Sequence, residues 1–251
     1  MNRGEFHRLF KCTGPVVLPV IHVLDTERSL KNIDHLIAAG CPGCFLINHD
    51  FGIEEFLPII RDVRAAAPWL WIGLNFLAVT GEDAFPTLGQ LSREGCRVDG
   101  YWADDARVDE TGRDNSLAER ALAMKAEQDW DGLYFGGTAF KKQRQVATAD
   151  YAAAARHATQ FMDVVTTSGI ATGEAADLGK IATFREAAGD TALAIASGIT
   201  PENAGAYANV DCCMVATGIN HPGNFYDIDP ERLAALLKVT RDLGKTSHGQ
   251  R

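Results

Sequence analysis

No stretch of the 251-residue chain stays apolar for the roughly 20 residues that a membrane-spanning helix requires, which excludes insertion into a bilayer. Positive charge is scarce as well. With 24 Lys and Arg against 33 Asp and Glu, the net charge is -9, the wrong sign for broad contact with nucleic acid or an anionic membrane. Cysteine is thin: Cys12, Cys41, Cys44, Cys96, Cys212 and Cys213 are too few and too dispersed for the disulfide framework of a small secreted domain. The first 15 residues lack the apolar core of a signal peptide, so the expected compartment is the cytoplasm. Two cofactor signatures are also missing. The first strand is followed by Asp25-Thr26-Glu27-Arg28 where a dinucleotide fold would carry a Gly-rich turn, and no paired histidines stand at tight metal-ligand spacing. A Mg²⁺ held by carboxylates and a substrate phosphate stays open; no other cofactor is implied.

What is present is a chain 46% hydrophobic, enough to bury one large core. Apolar runs alternate with helical periodicity eight times. The strands are expected at 16–24, 44–47, 70–74, 98–102, 132–135, 163–167, 194–196 and 211–217, each followed by a helix. Those helices are predicted up to Gly40, then over 53–67, 82–94, 116–128, 149–161, 178–188, 197–209 and 230–243. Residues 1–15 read as a polar and aromatic leader, and residues 245–251 as a polar tail. Continuous apolar strands in strict alternation with helices are what a parallel sheet covered on both faces demands. The predicted fold is a single (β/α)8 TIM barrel spanning residues 1–251.

In such a barrel the working residues stand just past the C-terminal ends of the strands. At the seventh, Ser197-Gly198-Ile199-Thr200-Pro201-Glu202-Asn203 combines a glycine, an N-cap threonine and a proline in the first helical position, the signature of a sharp helix start whose free N–H groups attract an anion. At the eighth, Thr217-Gly218 repeats the small hydroxyl residue and glycine. Ser197, Gly198, Thr217, Gly218 and Gly169 are therefore the expected phosphate-binding residues. The other strand ends supply titratable groups. Asp104, Asp25 and His49 are the acid/base candidates, while Asn75 and Lys141 are placed to orient or polarise a substrate. Each has a plainer reading: Asp25 as the cap of the following helix, Asp104-Asp105 as a solvated loop, His49 as a surface residue, and Lys141 as a solvated charge or a Schiff-base lysine. His22, inside a strand, reads as a core histidine. Cys41-Pro42-Gly43-Cys44 has redox spacing but lies where a helix runs into a strand, on the stability face of the barrel.

The Ser-Gly-Ile-Thr-Pro-Glu-Asn turn followed by Val215-Ala216-Thr217-Gly218 resembles the ribulose-phosphate-binding barrels. With Gly73-Leu74-Asn75-Phe76-Leu77 and Ser168-Gly169-Ile170-Ala171-Thr172-Gly173 added, the chain resembles the BtpA family, named for a photosystem I biogenesis factor. The family usually has an acidic residue and a Lys-His pair after the fifth strand; here stand Gly137 and Lys141-Lys142. The expected function is that of an enzyme acting on a small phosphorylated, sugar-phosphate-like metabolite by isomerase, lyase or glycosyl-transfer chemistry. The resemblance implies an alternative, a non-catalytic assembly factor or metabolite-binding protein. A homo-oligomer face on the outer helices stays open.

Overall fold

The computed structural model describes residues 1–141, 143–171 and 173–248. Their strands are β1 (Val16–Val23), β2 (Gly43–Asn48), β3 (Trp71–Phe76), β4 (Gly100–Ala103), β5 (Leu133–Gly137), β6 (Val164–Thr167), β7 (Ala192–Ala196) and β8 (Cys212–Val215). All neighbours pair in parallel and β8 returns to β1, closing the barrel in sequence order. The helices are α1 (Arg3–Phe10), α2 (Thr26–Ala39), α3 (Ile53–Ala66), α4 (Gly81–Arg93), α5 (Ser116–Glu127), α6 (Tyr151–Ala158), α7 (Leu178–Ala188) and α8 (Pro230–His248).

Side-chain alternation along each strand divides the core in two. Outward residues such as Val17, Leu46, Leu74, Tyr101, Leu193 and Cys213 pack under the helices. Inward residues fill the barrel: Leu18, Phe45, Trp102 and Phe135 meet the small Ala192, Ala194 and Ala196 of β7, large against small so that the layers interlock. The barrel is a packed core, and its inward positions become polar near the C-terminal end.

The expected leader is a helix. Asn2 and Glu5 form a capping box at the start of α1, which buries Phe6 and Phe10. Phe6 lies 6.2 Å from Phe135 and Phe10 lies 5.3 Å from Trp71, centroid to centroid, so α1 plugs the floor of the barrel. The polar tail is also displaced. Helix α8 runs on through His248 because Gly244 is a contact point: a Cβ there would stand 2.5 Å from the Gly14 amide nitrogen. Residues 249–251 of that expected tail lie outside the described residues.

The seventh helix is the third departure. After β7 the chain makes a turn and then a single 3-10 helix, Ala204–Tyr207. Asn203 takes over the local bonding. Its Oδ1 accepts the Thr200 N–H at 2.9 Å and its Nδ2 donates to the Gly198 carbonyl at 2.6 Å, closing the turn on itself before an α-helix can start.

An aspartate staple recurs at the N-terminal ends of the strands. Asp99, Asp163 and Asp211 directly precede β4, β6 and β8 and accept the N–H groups of Ile72, Tyr134 and Leu193 at 2.9, 2.8 and 3.0 Å. Each donates its own N–H to the carbonyl of that same residue, at 2.8, 3.0 and 2.8 Å. Cations complete the staples. Arg64 reaches Asp99 at 2.6 Å and Lys125 reaches Asp163 at 3.2 Å, while Asp211 takes Arg3, His7 and Arg185 at 2.8, 2.9 and 2.8 Å. Cys41 and Cys44 are buried at this same end, and burial pushes the Cys41 thiol up to about 12, the opposite of a reactive thiolate. No described helix is long and apolar enough to cross a membrane.

Candidate active site at the barrel mouth

The C-terminal end of the barrel opens into a cavity of about 580 Å³. It gathers His22, His49, Asp104, Lys141, Ser197, Gly198, Thr217 and Gly218 around an apolar interior that includes Ile47, Trp102 and Met214. Their convergence follows from register. Val20 and His22 share the inward parity of β1, Ile47 and His49 that of β2, and Trp102 and Asp104 that of β4.

Asp104 and Asp105 separate, as alternation requires. Asp104 is 4% exposed and lines the mouth, whereas Asp105 accepts the Arg107 N–H at 2.8 Å and faces a second cleft beside α4. Two features pin Asp104. Its carbonyl accepts Gln143 Nε2 at 2.9 Å, and Gly137 lets β5 approach it, since a Cβ there would lie 2.0 Å from the Asp104 carbonyl oxygen. This is the physical reason for glycine where the resembled family carries an acid. Asn75 does not line the cavity; it is fully buried and directs Nδ2 to Asp104 Oδ1 at 3.4 Å. Its place is behind the carboxylate, a correction to the expected contact with substrate.

Asp25 is corrected too. It is the N-cap of α2 and accepts the Arg28 N–H at 2.7 Å; it is exposed and belongs to the helix start. His22 moves the other way. The ring is 7% exposed and lines the mouth. It stacks on Phe225 with centroids 3.8 Å apart, and His49 stands edge-on to both rings at 4.8 and 5.1 Å. His22 Nδ1 lies 2.8 Å from the Phe225 carbonyl oxygen. A carbonyl can only accept, so Nδ1 carries the proton, and in the neutral ring Nε2 is the basic nitrogen. Phe225 belongs to the connection between β8 and α8, whose signal in the sequence was its unusual length, residues 216–229.

The phosphate corner is built of backbone. Ser197 has φ 134 and Gly198 φ 66, strained for the serine and natural for the glycine. Gly218 abuts that turn so closely that a Cβ would fall 1.9 Å from the Ile199 carbonyl oxygen. The two turns thus form one surface, although no α-helix starts there and the expected macrodipole is missing. Gly169 is a buttress: its N–H donates to Ser197 Oγ at 3.1 Å, and its α-carbon faces the Glu174 carbonyl, 2.4 Å from where a Cβ would stand. It supports Ser197 and does not line the cavity. The next loop glycine, Gly173 at φ 82, does line it; Lys142 and Thr172 lie outside the described residues.

Behind these loops stands a buried cation that the sequence reading missed. Lys180, in the first turn of α7, donates from Nζ to the Ala139 carbonyl at 2.6 Å and the Ser168 carbonyl at 2.8 Å. Desolvation lowers its pKa to about 8. It joins the loop that carries Lys141 to the loop that carries Gly169, and Lys141 itself donates its N–H to Ser168 Oγ at 2.9 Å. Among the described residues no three His, Cys, Asp or Glu side chains are grouped to hold a metal ion.

No protein-family model matches the chain, and a search of curated proteins returns no match; the resemblance to the BtpA family stays an expectation from motifs. Solved structures share the fold. The tryptophan synthase α subunit of Legionella pneumophila aligns at 14% identity over 98% of this chain and 99% of its own, with a TM-score of 0.61. Phosphoribosyl anthranilate isomerase of Thermus thermophilus aligns at 15% identity over 90% and 98%, TM-score 0.58. The 2-keto-3-deoxy-6-phospho-gluconate aldolase of Zymomonas mobilis aligns at 14% identity over 97% and 98%, TM-score 0.60. The chain is a single (β/α)8 barrel of the architecture these enzymes use.

Proposed function

We propose that the protein is an enzyme that binds a small phosphorylated metabolite, of sugar-phosphate kind, at the mouth of the barrel and moves protons on it in an isomerase or lyase reaction. The carrying observation is that one cavity gathers the Ser197-Gly198 and Thr217-Gly218 turns together with His22, His49, Asp104 and Lys141. The turns offer backbone N–H groups and hydroxyls to a phosphate without added positive charge. Asp104 and His49 serve as the acid/base pair, with His22 as a second imidazole whose tautomer the Phe225 carbonyl fixes. Lys141 attracts the anionic substrate or polarises its carbonyl oxygen. The printed names of the neighbouring structures, which include an aldolase of a phospho-gluconate and a phosphoribosyl anthranilate isomerase, support the reading by analogy of fold.

The test is binding followed by turnover. Thermal unfolding is followed with inorganic phosphate and with sugar phosphates, each with and without Mg²⁺; a ligand at about 100 times its Kd adds about 2.7 kcal/mol to stability. A rise with a sugar phosphate and none with the free sugar supports the phosphate corner, and solvent deuterium incorporated into that ligand supports proton transfer. Binding without any exchange or turnover would favour the non-catalytic alternative. No rise with any phosphate, inorganic phosphate included, would sink the proposal.

A further inference from the structure

The walls of the same cavity bear on what the phosphate is attached to. Val20, Ile47, Ala196 and Met214 contribute apolar surface, and a hydroxyl seated against them would lose water without gaining a partner. The aromatic surface is larger. Trp102 lines the cavity, fixed by edge contacts with Phe45 and Phe140 at 6.0 and 5.9 Å, and Phe225 lies stacked on His22 in the same lining. Trp102 is 5% exposed, yet its indole Nε1, a donor and nothing else, has no hydrogen-bond partner among the described residues. A buried donor of this kind is costly unless something completes it, and the cavity its ring borders is where a completing acceptor can enter.

We propose that the ligand is a phosphate ester whose body includes a planar, unsaturated ring bearing a hydrogen-bond acceptor, which lies against Trp102 and accepts its Nε1–H. A flat ring removes the apolar lining from water and demands few polar partners. An open polyhydroxy chain would have to satisfy each buried hydroxyl. The inference rests on the phosphate reading of the Ser197-Gly198 and Thr217-Gly218 turns and adds the class of group that the phosphate carries.

Calorimetric titration of the full-length protein separates the two. The probes are inorganic phosphate, ribose 5-phosphate, phenyl phosphate, pyridoxine 5′-phosphate and unphosphorylated pyridoxine. Pyridoxine 5′-phosphate is expected to bind at least about tenfold more tightly than ribose 5-phosphate, with phenyl phosphate, whose ring has no acceptor, in between. In Trp102→Phe the advantage of pyridoxine 5′-phosphate over phenyl phosphate should vanish while the affinity for inorganic phosphate is kept. Ribose 5-phosphate binding as tightly as the ring esters would overturn the ring and leave the phosphate corner standing. Failure of every phosphate to bind would overturn both. Should Trp102→Phe not fold, the wild-type contrast between phenyl phosphate and pyridoxine 5′-phosphate still decides: equal affinities would overturn the assignment to Nε1.

Discussion

His22 and Phe225 are held to each other twice, by rings stacked 3.8 Å apart and by a hydrogen bond of 2.8 Å between Nδ1 and the Phe225 carbonyl. The second contact uses backbone, so Phe225→Leu leaves it in place and removes the stack. The loop itself is tied elsewhere, by Asn32 to the Tyr226 carbonyl and the Ile228 N–H at 2.8 and 3.0 Å. The expected result is a KM raised about tenfold with little change in Tm. His22→Ala should instead lower kcat by about a hundredfold or more. Steady-state kinetics on the identified substrate, with Tm as control, checks both.

Asp104→Asn replaces the mouth carboxylate with a group of the same shape that cannot exchange a proton, and kcat should fall by about 10² to 10⁴. Inorganic phosphate should bind as before, because the phosphate corner stands on β7 and β8. Asn75→Ala removes the amide behind Asp104, so a smaller loss of kcat, about tenfold, is expected, with a Tm decrease from the buried void. An Asn75→Ala variant as active as wild type would show that Asp104 needs no such support.

The phosphate corner separates hydroxyl from backbone. Thr217→Val keeps shape and should weaken phosphate binding by about three- to tenfold, the worth of one ordinary hydrogen bond. Gly218→Ala should abolish it, since the new Cβ would meet the Ile199 carbonyl oxygen at 1.9 Å and force the two turns apart. Phosphate titrations of both variants give the measurement. Equal effects would show that the hydroxyl, and not the joined backbone, holds the anion.

The barrel was legible because burial on both faces writes itself into apolar runs such as Val16–Val23, and because alternation needs no knowledge of partners. The mouth was largely legible for the same reason: Asp104, His49, Ser197 and Thr217 stand just past such runs. What was hidden depends on contacts distant in sequence. His22 looked like core until Phe225, about 200 residues on, came to lie against it, and Lys180 carried no local signal because the carbonyls it serves belong to two other loops. Asp25 misled because a cap and a catalytic acid read alike at a strand end. The Thr200-Pro201 start misled because the side chain of Asn203 outcompeted the helix.

Asp211 is the staple with the most partners, and its loss should be the most damaging. Burial raises its pKa, but hydrogen bonds from His7, Arg3 and the Leu193 N–H outweigh that and hold it below the usual carboxylate range. A folded pKa below the unfolded value of about 3.9 means that the contribution is complete above pH 5 and is lost as pH falls through the folded value. Asp211→Asn leaves Arg3, His7 and Arg185 facing a neutral amide, so a loss of about 3 kcal/mol at pH 7 is expected. Urea unfolding at pH 7 and pH 3 should show a much smaller gap between variant and wild type at the lower pH.

Lys180 gives a stability effect of opposite slope, and one that reaches the mouth. Desolvation lowers its folded pKa to about 8 from a model value of 10.5. Below pH 8 the folded state must hold a buried charge. Between about 8 and 10.4 the unfolded chain binds a proton there that the folded chain does not, so this residue adds stability as pH rises. The neutral amine still has two N–H groups for the Ala139 and Ser168 carbonyls, so no bond need be lost. Buried thiols oppose the trend, because burial pushes Cys41 and Cys213 up to about 12 and unfolding releases their protons at lower pH. The difference between wild type and Lys180→Met therefore isolates the lysine. That difference in unfolding free energy should grow in favour of wild type from pH 7.5 to pH 9.5, by roughly 3 kcal/mol at most. Because Lys180 joins the Lys141 loop to the Ser168-Gly169 loop, Lys180→Met should also weaken phosphate binding at pH 7.5. A pH-independent difference would show that the buried ammonium costs the fold nothing, and unchanged phosphate affinity would show that the two loops hold the mouth without it.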